Sequence, residues 1–135
     1  MGGGYDSYNT MTICLPSFDF GGGAAETMSF RIPAAMNAEL IKIGVMVTET
    51  FADDTTSASV ELGTAADSDA YAKLVIPDGT ADNDCFDETD DTDAIISPNI
   101  AANTLVRVTL TNGTDSVGVA GQGVPFFVFR MRPAV

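Results

Sequence analysis

The sequence predicts an all-β domain, an antiparallel β-sandwich of about eight strands. Three observations lead there. Apolar residues recur with a period of two and not with the helical period. Glycine, proline and Asn/Asp clusters interrupt those runs at short intervals, as in a sandwich or a barrel. The chain has 135 residues, 45% of them hydrophobic, which suits one packed core and is too short for two.

The run 11–20 carries Met11, Ile13 and Leu15 on one parity and Phe18 and Phe20 on the other. Pro16 stands at the change, where a bulge or an edge position would absorb the slip. In 26–32, Met28, Phe30 and Ile32 alternate with Thr27, Ser29 and Arg31. Residues 34–39 are the one helical candidate and read better as a one-turn loop. In 40–48, Ile41, Ile43, Val45 and Val47 share a face, opposite Leu40, Lys42, Gly44, Met46 and Thr48. Ala58, Val60 and Leu62 oppose Ser57, Ser59 and Glu61, and 70–76, 93–96 and 116–120 are shorter strand candidates. In 104–112, Val106, Val108 and Leu110 face inward, and Asn112-Gly113 is the preferred pair for a tight hairpin turn. The run 125–132 places Phe127, Phe129 and Met131 on one face and Phe126, Val128, Arg130 and Arg132 on the other. One-sided burial of this kind belongs to antiparallel strands with a single face on the core. Phe126 and Val128 make the second face apolar too, so a cover is expected for them, from another subunit if not from this chain.

Glycine triplets at 2–4 and 21–23 are poor in any strand interior. They mark a flexible N-terminal arm, 1–10, ahead of a single β-sandwich domain, 11–135, and a wide turn within it. Tyr5 and Tyr8 on the arm read either as part of a frayed end or as anchors on a neighbouring protein, a role for which tyrosine is enriched. Arg130 and Arg132 read either as partners of surface carboxylates or as contacts to an acidic partner.

Nineteen acidic residues against six basic ones give a net charge of −13, which repels phosphate backbones and anionic headgroups. Neither a nucleic acid nor a membrane is expected as a partner. No apolar run approaches the ~20 residues of a membrane helix, and no basic-then-apolar leader is visible. Histidine is absent, which removes Ser-His and Cys-His nucleophile pairs and the commonest general base. Cys14 and Cys85 are too few for a disulfide framework or a four-cysteine metal site; one bridge between them is open to the chain, with reduced thiols the default expectation. The glycine triplets match no phosphate-binding loop. Lys42 and Lys73 fall at outward parity, a structural or solvent-facing place. The chain is not expected to be an enzyme or to hold a cofactor.

The segment 77–93, PDGTADNDCFDETDDTD, packs Asp78, Asp82, Asp84, Asp87, Glu88, Asp90, Asp91 and Asp93 into one stretch. Calcium takes six to eight oxygen ligands, so an ordered cation site is one reading. The other is a solvated, self-repelling surface loop, since glycine and glutamate are misplaced for the helix–loop–helix calcium pattern. Paired carboxylates also serve glycosidases, but here they crowd one polar loop with Phe86 as the one aromatic residue among them.

Two stretches, VELGTAADSDAYAKL at 60–74 and TLVRVTLTNGT…GVAGQGVPFFVFRM at 104–131, resemble small β-sandwich structural proteins of tailed bacteriophages, the capsid decoration (cement) proteins and head-fibre-like modules. The resemblance implies a jelly-roll-like fold, a homotrimer, and attachment to the outer surface of a shell of major capsid protein. It places the chain on the capsid exterior of a virion and transfers no residue-level functional site, catalytic, metal-binding or other. The capsid or subunit interface guessed from the residues themselves is Tyr5, Tyr8, Phe126, Val128, Arg130 and Arg132. A tail or fibre module that binds host glycans is the alternative, weakened by the absence of tryptophan.

Overall fold

The computed structural model describes residues 9–134. Ten strands follow one another along the chain: β1 (Thr10–Cys14), β2 (Phe18–Asp19), β3 (Glu26–Arg31), β4 (Met36–Ala52), β5 (Ala58–Gly63), β6 (Ala72–Ile76), β7 (Cys85–Asp87), β8 (Asn99–Ile100), β9 (Leu105–Thr111) and β10 (Ala120–Pro133). No helix occurs among the described residues. The antiparallel pairs nest: β1 with β10, β3 with β9, β4 with β7, and β5 with β6. Contacts of β10 with β4 and of β9 with β5 join these pairs into two sheets, ordered β1-β10-β4-β7 and β3-β9-β5-β6. A chain doubled on itself and rolled in this way is a jelly roll, eight principal strands in two packed sheets. The two-residue strands β2 and β8 are additions that pair with β10 and β4.

The core lies between the sheets. Ile43, Val45, Val47, Phe127 and Phe129 from one side meet Ile32, Val60, Leu62, Leu74, Val106 and Val108 from the other, all essentially sealed from solvent. These are the alternating residues of the sequence, so the period-two pattern is the inward face of each strand. The parity change in 11–20 appears as a break between β1 and β2 at exposed Pro16, with both strands paired to β10.

Several expectations need correction. Asn9 and Thr10 belong to the sandwich and not to an arm: the Asn9 carbonyl accepts from Met131 N–H at 2.6 Å and Thr10 pairs with Arg130. In β4 the inward set is Ala38, Leu40, Ile43, Val45 and Val47, while Ile41 is half-buried. The register jumps there, Val128 facing Lys42 and Phe129 facing Leu40, so a bulge at Ile41 flips the parity. Residues 93–96 make one isolated bridge, Ala72 to Ile95, and 116–119 are not strand. Asn112-Gly113 does not turn a hairpin, because β9 and β10 lie in different sheets. Gly113 is required by close approach: a Cβ there would come within 2.5 Å of the Asp53 Cβ and 2.9 Å of the Thr56 carbonyl oxygen.

The acidic segment is solvated at Asp78, Asp82, Asp84, Asp90 and Asp93, but it is also tied to the sheets by hydrogen bonds. The carboxylate of Asp91 accepts from Val75 N–H (3.0 Å) on the outer edge of β6, and that of Asp90 accepts from Asp87 N–H (3.1 Å) on β7. Ala94 O accepts from Lys73 N–H at 2.8 Å. The loop therefore closes two sheet edges that would otherwise be open to pairing with another chain. Five of its eight carboxylates, those of Asp78, Asp87, Glu88, Asp90 and Asp91, accept from backbone N–H groups, and no group of three or more metal-ligating side chains gathers among the described residues.

Candidate functional site

The two sheets differ in what they show to the outside. On the sheet β3-β9-β5-β6 the outward residues are mostly polar: Thr27, Ser29 and Arg31 on β3, Arg107, Thr109 and Thr111 on β9, Glu61 on β5 and Lys73 on β6. Leu105 and Val75 are the large apolar exceptions. Such a face is at home in water.

The other sheet carries an apolar centre on its outer face. The core takes Ile13, Phe127, Val45 and Phe86, which leaves their neighbours pointing outward. Register sets Cys14 beside Phe126, Phe126 beside Gly44 and Gly44 beside Asp87; one step along, Val124 lies beside Met46 and Met46 beside Cys85. Val128 lies between Thr12 and Lys42. Cys14, Met46 (43% exposed) and Cys85 are open to solvent, and Val124 and Val128 are half-buried.

Charge frames this centre and is neutralised in place. Lys42 Nζ stands 2.8 Å from Asp87 and 3.3 Å from Glu88, whose second oxygen accepts from Ile43 N–H. The Asp87 hydrogen bond, against the opposing effect of burial, raises the Lys42 ammonium above its ordinary value. Burial pushes the Asp87 carboxyl up, but hydrogen bonds from Lys42 and Thr89 outweigh it and hold the group below the usual range. At the opposite end Arg130 lies 3.3 Å and Arg132 3.9 Å from Glu39. Both arginines thus meet a surface carboxylate of their own chain.

Of the six residues guessed as an interface, Phe126, Val128, Arg130 and Arg132 share this face, and Tyr5 and Tyr8 lie outside the described residues. Phe126 is 8% exposed and is covered by its own chain, so it is not waiting for a subunit. Its ring occupies the space over Gly44, where a Cβ would stand 2.5 Å from the ring tip. Met46, Val124, Cys14 and Cys85 were missed. Met46 had the right parity in the sequence, but no local pattern says which strands flank it.

Cys14 and Cys85 are both free and sit on strands separated by β10 and β4. Three strand spacings come to about 14 Å, twice the span of a disulfide. Burial, followed by the Asp87 charge, pushes the Cys85 thiol up, away from the reactive thiolate.

No family model and no curated protein matches this chain. Among solved structures, the acidic stable capsid structure of Helicobacter pylori bacteriophage KHP30 is similar with a TM-score of 0.35 and 12% identity, over 93% of this chain and 98% of that one. A likeness of that size supports no inference about fold or role.

Proposed function

We propose that this chain is a virion structural protein that binds the outer surface of a capsid shell and stabilises it, as cement or decoration proteins do, and that it is not an enzyme. The observation that carries the reading is the apolar centre on the outer face of β1-β10-β4-β7, set against the polar outer face of the second sheet. Exposed Met46 beside half-buried Val124 and Val128, framed by ion-paired charge, has the character of a surface that a partner covers. The sequence resemblance at 60–74 and 104–131 supplies the partner, a shell of major capsid protein. A net charge of −13 suits the solvent side of such a shell and opposes contact with packaged DNA or an anionic membrane.

The mechanism needs no reaction. A protein that buries surface across the boundary between capsomers adds its own contacts to those that must break when the shell opens, and so stabilises the closed state by linkage. Val128 and Met46 would be covered, with Arg130 and Arg132 at the rim. The test is co-sedimentation with DNA-free shells assembled from the major capsid protein of the genome that encodes this chain. The wild type should pellet with the shells and raise their melting temperature, and Val128→Asp should weaken binding at least ~10-fold. Failure of the wild type to pellet, or binding on a glycan array without affinity for shells, overturns the reading.

A further inference from the structure

A second surface lies away from the face just described. Where the edges of β6 and β7 come together, an open groove of about 520 Å³ runs beneath the loop that caps them. Its apolar wall is made by Val75, Pro77, Phe86 and Ile96, and Val75 and Ile96 are 38% and 56% exposed. Asp90, Asp91 and Asp93 stand along its rim, with Lys73 also lining it. Asp90 and Asp91 are tied to backbone N–H groups, and Asp93 makes no hydrogen bond or ion pair among the described residues.

The complement to this groove is on the same chain. Of the six Lys and Arg residues, Lys42, Arg130 and Arg132 form ion pairs, whereas Arg31, Lys73 and Arg107 form none among the described residues. Arg31 and Arg107 flank Leu105, which is 51% exposed. Register puts Arg31 directly beside Leu105 across β3 and β9, with Arg107 two residues further along the same outward face. An exposed leucine between two guanidinium groups fits an apolar groove rimmed by carboxylates, because the charges pair as the leucine leaves water.

The two features cannot meet within one molecule. Thr111, Ser59 and Val75 are aligned across β9, β5 and β6, and Leu105 is six residues along β9 from that line, or about 20 Å. We propose that copies of this chain associate head to tail, with Leu105, Arg31 and Arg107 of one copy seated in the Val75–Phe86–Ile96 groove of the next against Asp90, Asp91 and Asp93. The contact is heterologous and makes a ring if its rotation closes. Like net charges of −13 oppose it, but at physiological salt the repulsion is screened beyond about 8 Å while the contacting pairs are not. The proposal does not rest on shell binding, because the face carrying Val128 and Met46 takes no part.

Light scattering during gel filtration of the full chain at about 0.15 M salt tests it, with wild type, Arg107→Glu, Asp93→Arg and the two reversals combined. The wild type should run at a multiple of 14.0 kDa. Each single reversal should raise the concentration for half-assembly at least ~10-fold, and the combined variant should regain it. Val128→Asp should assemble as the wild type, which separates this contact from shell docking. Circular dichroism checks that every variant is folded. A wild type that remains monomeric at millimolar concentration, single reversals that assemble normally, or a combined variant that stays monomeric each overturn the proposal.

Discussion

A Cβ at Gly44 would stand 2.5 Å from the tip of the Phe126 ring and 3.1 Å from the Asp87 Cβ. Gly44→Ala must therefore displace the ring from the outer face, at about 1–3 kcal/mol, the usual scale of overpacking. Urea unfolding should show the lowered midpoint, and an unchanged midpoint would contradict the packing of Phe126 over Gly44. Asp53 presents a different residue-scale tension. It is 2% exposed, its Oδ2 accepts from Ala58 N–H at 2.8 Å, and its Oδ1 has no partner. Burial, helped by the nearby Asp78, Asp115 and Asp54 charges, pushes its carboxyl above the ordinary value. The folded state then holds this proton more tightly than the unfolded state, so its contribution is full below the ordinary carboxylate value and is lost as pH rises through the raised one. Asp115 works in the opposite direction. N–H groups of Asp54, Gly118 and Val117 hold it at about 2, so its contribution exists above the ordinary range and disappears as pH falls toward about 2. Melting temperatures of wild type and Asp53→Asn between about pH 4 and 7 should show a shallower gain on acidification in the variant. Equal slopes would contradict the assignment. That Phe126 and Val128 form a second apolar face was legible in the sequence. That Gly44 gives the Phe126 ring its seat was not, because the two are 82 residues apart and meet only through register.

At the scale of elements, β4 shows where a period-two reading holds and where it stops. Ile43, Val45 and Val47 are inward as the alternation requires, but the bulge at Ile41 moves Leu40 and Ala38 to the core side. An extra residue carries no signal of its own where Leu40 and Ile41 are adjacent and equally apolar. Asn112-Gly113 misled for a related reason: the pair favours a hairpin, yet β9 and β10 find their partners in different sheets, and tertiary pairing prevails over turn preference. The edges were legible only in hindsight. A run of aspartates gives no sign of capping a sheet edge until Val75 N–H and Asp87 N–H are seen to need acceptors. Asp91→Ala removes the cap from β6 and should cost about 1 kcal/mol. It should also raise the tendency to aggregate, since Val75 is left on an open edge. Urea unfolding and static light scattering read the two effects, and wild-type behaviour in both would contradict the role given to Asp91.

At the scale of the whole molecule, the fold class was readable because alternation, turn residues and chain length agree, and the nested pairs give it the jelly-roll order. Which sheet would present the apolar outer face was not readable, since it depends on β1, β10, β4 and β7 becoming neighbours only after folding. That asymmetry is the ground for assigning one side to a shell and leaving the other to solvent and to a neighbouring copy. The most direct test uses the two thiols that the fold places on the apolar face. Cys14 and Cys85 are both exposed in the free chain, so a maleimide should label both, Cys85 the more slowly because its thiol is pushed up. Bound to shells of major capsid protein, the chain should lose most of that labelling, while a cysteine introduced at Thr109 on the opposite face should still react. Unchanged labelling of Cys14 and Cys85 on the shell-bound chain would contradict the docking face and the account built on it.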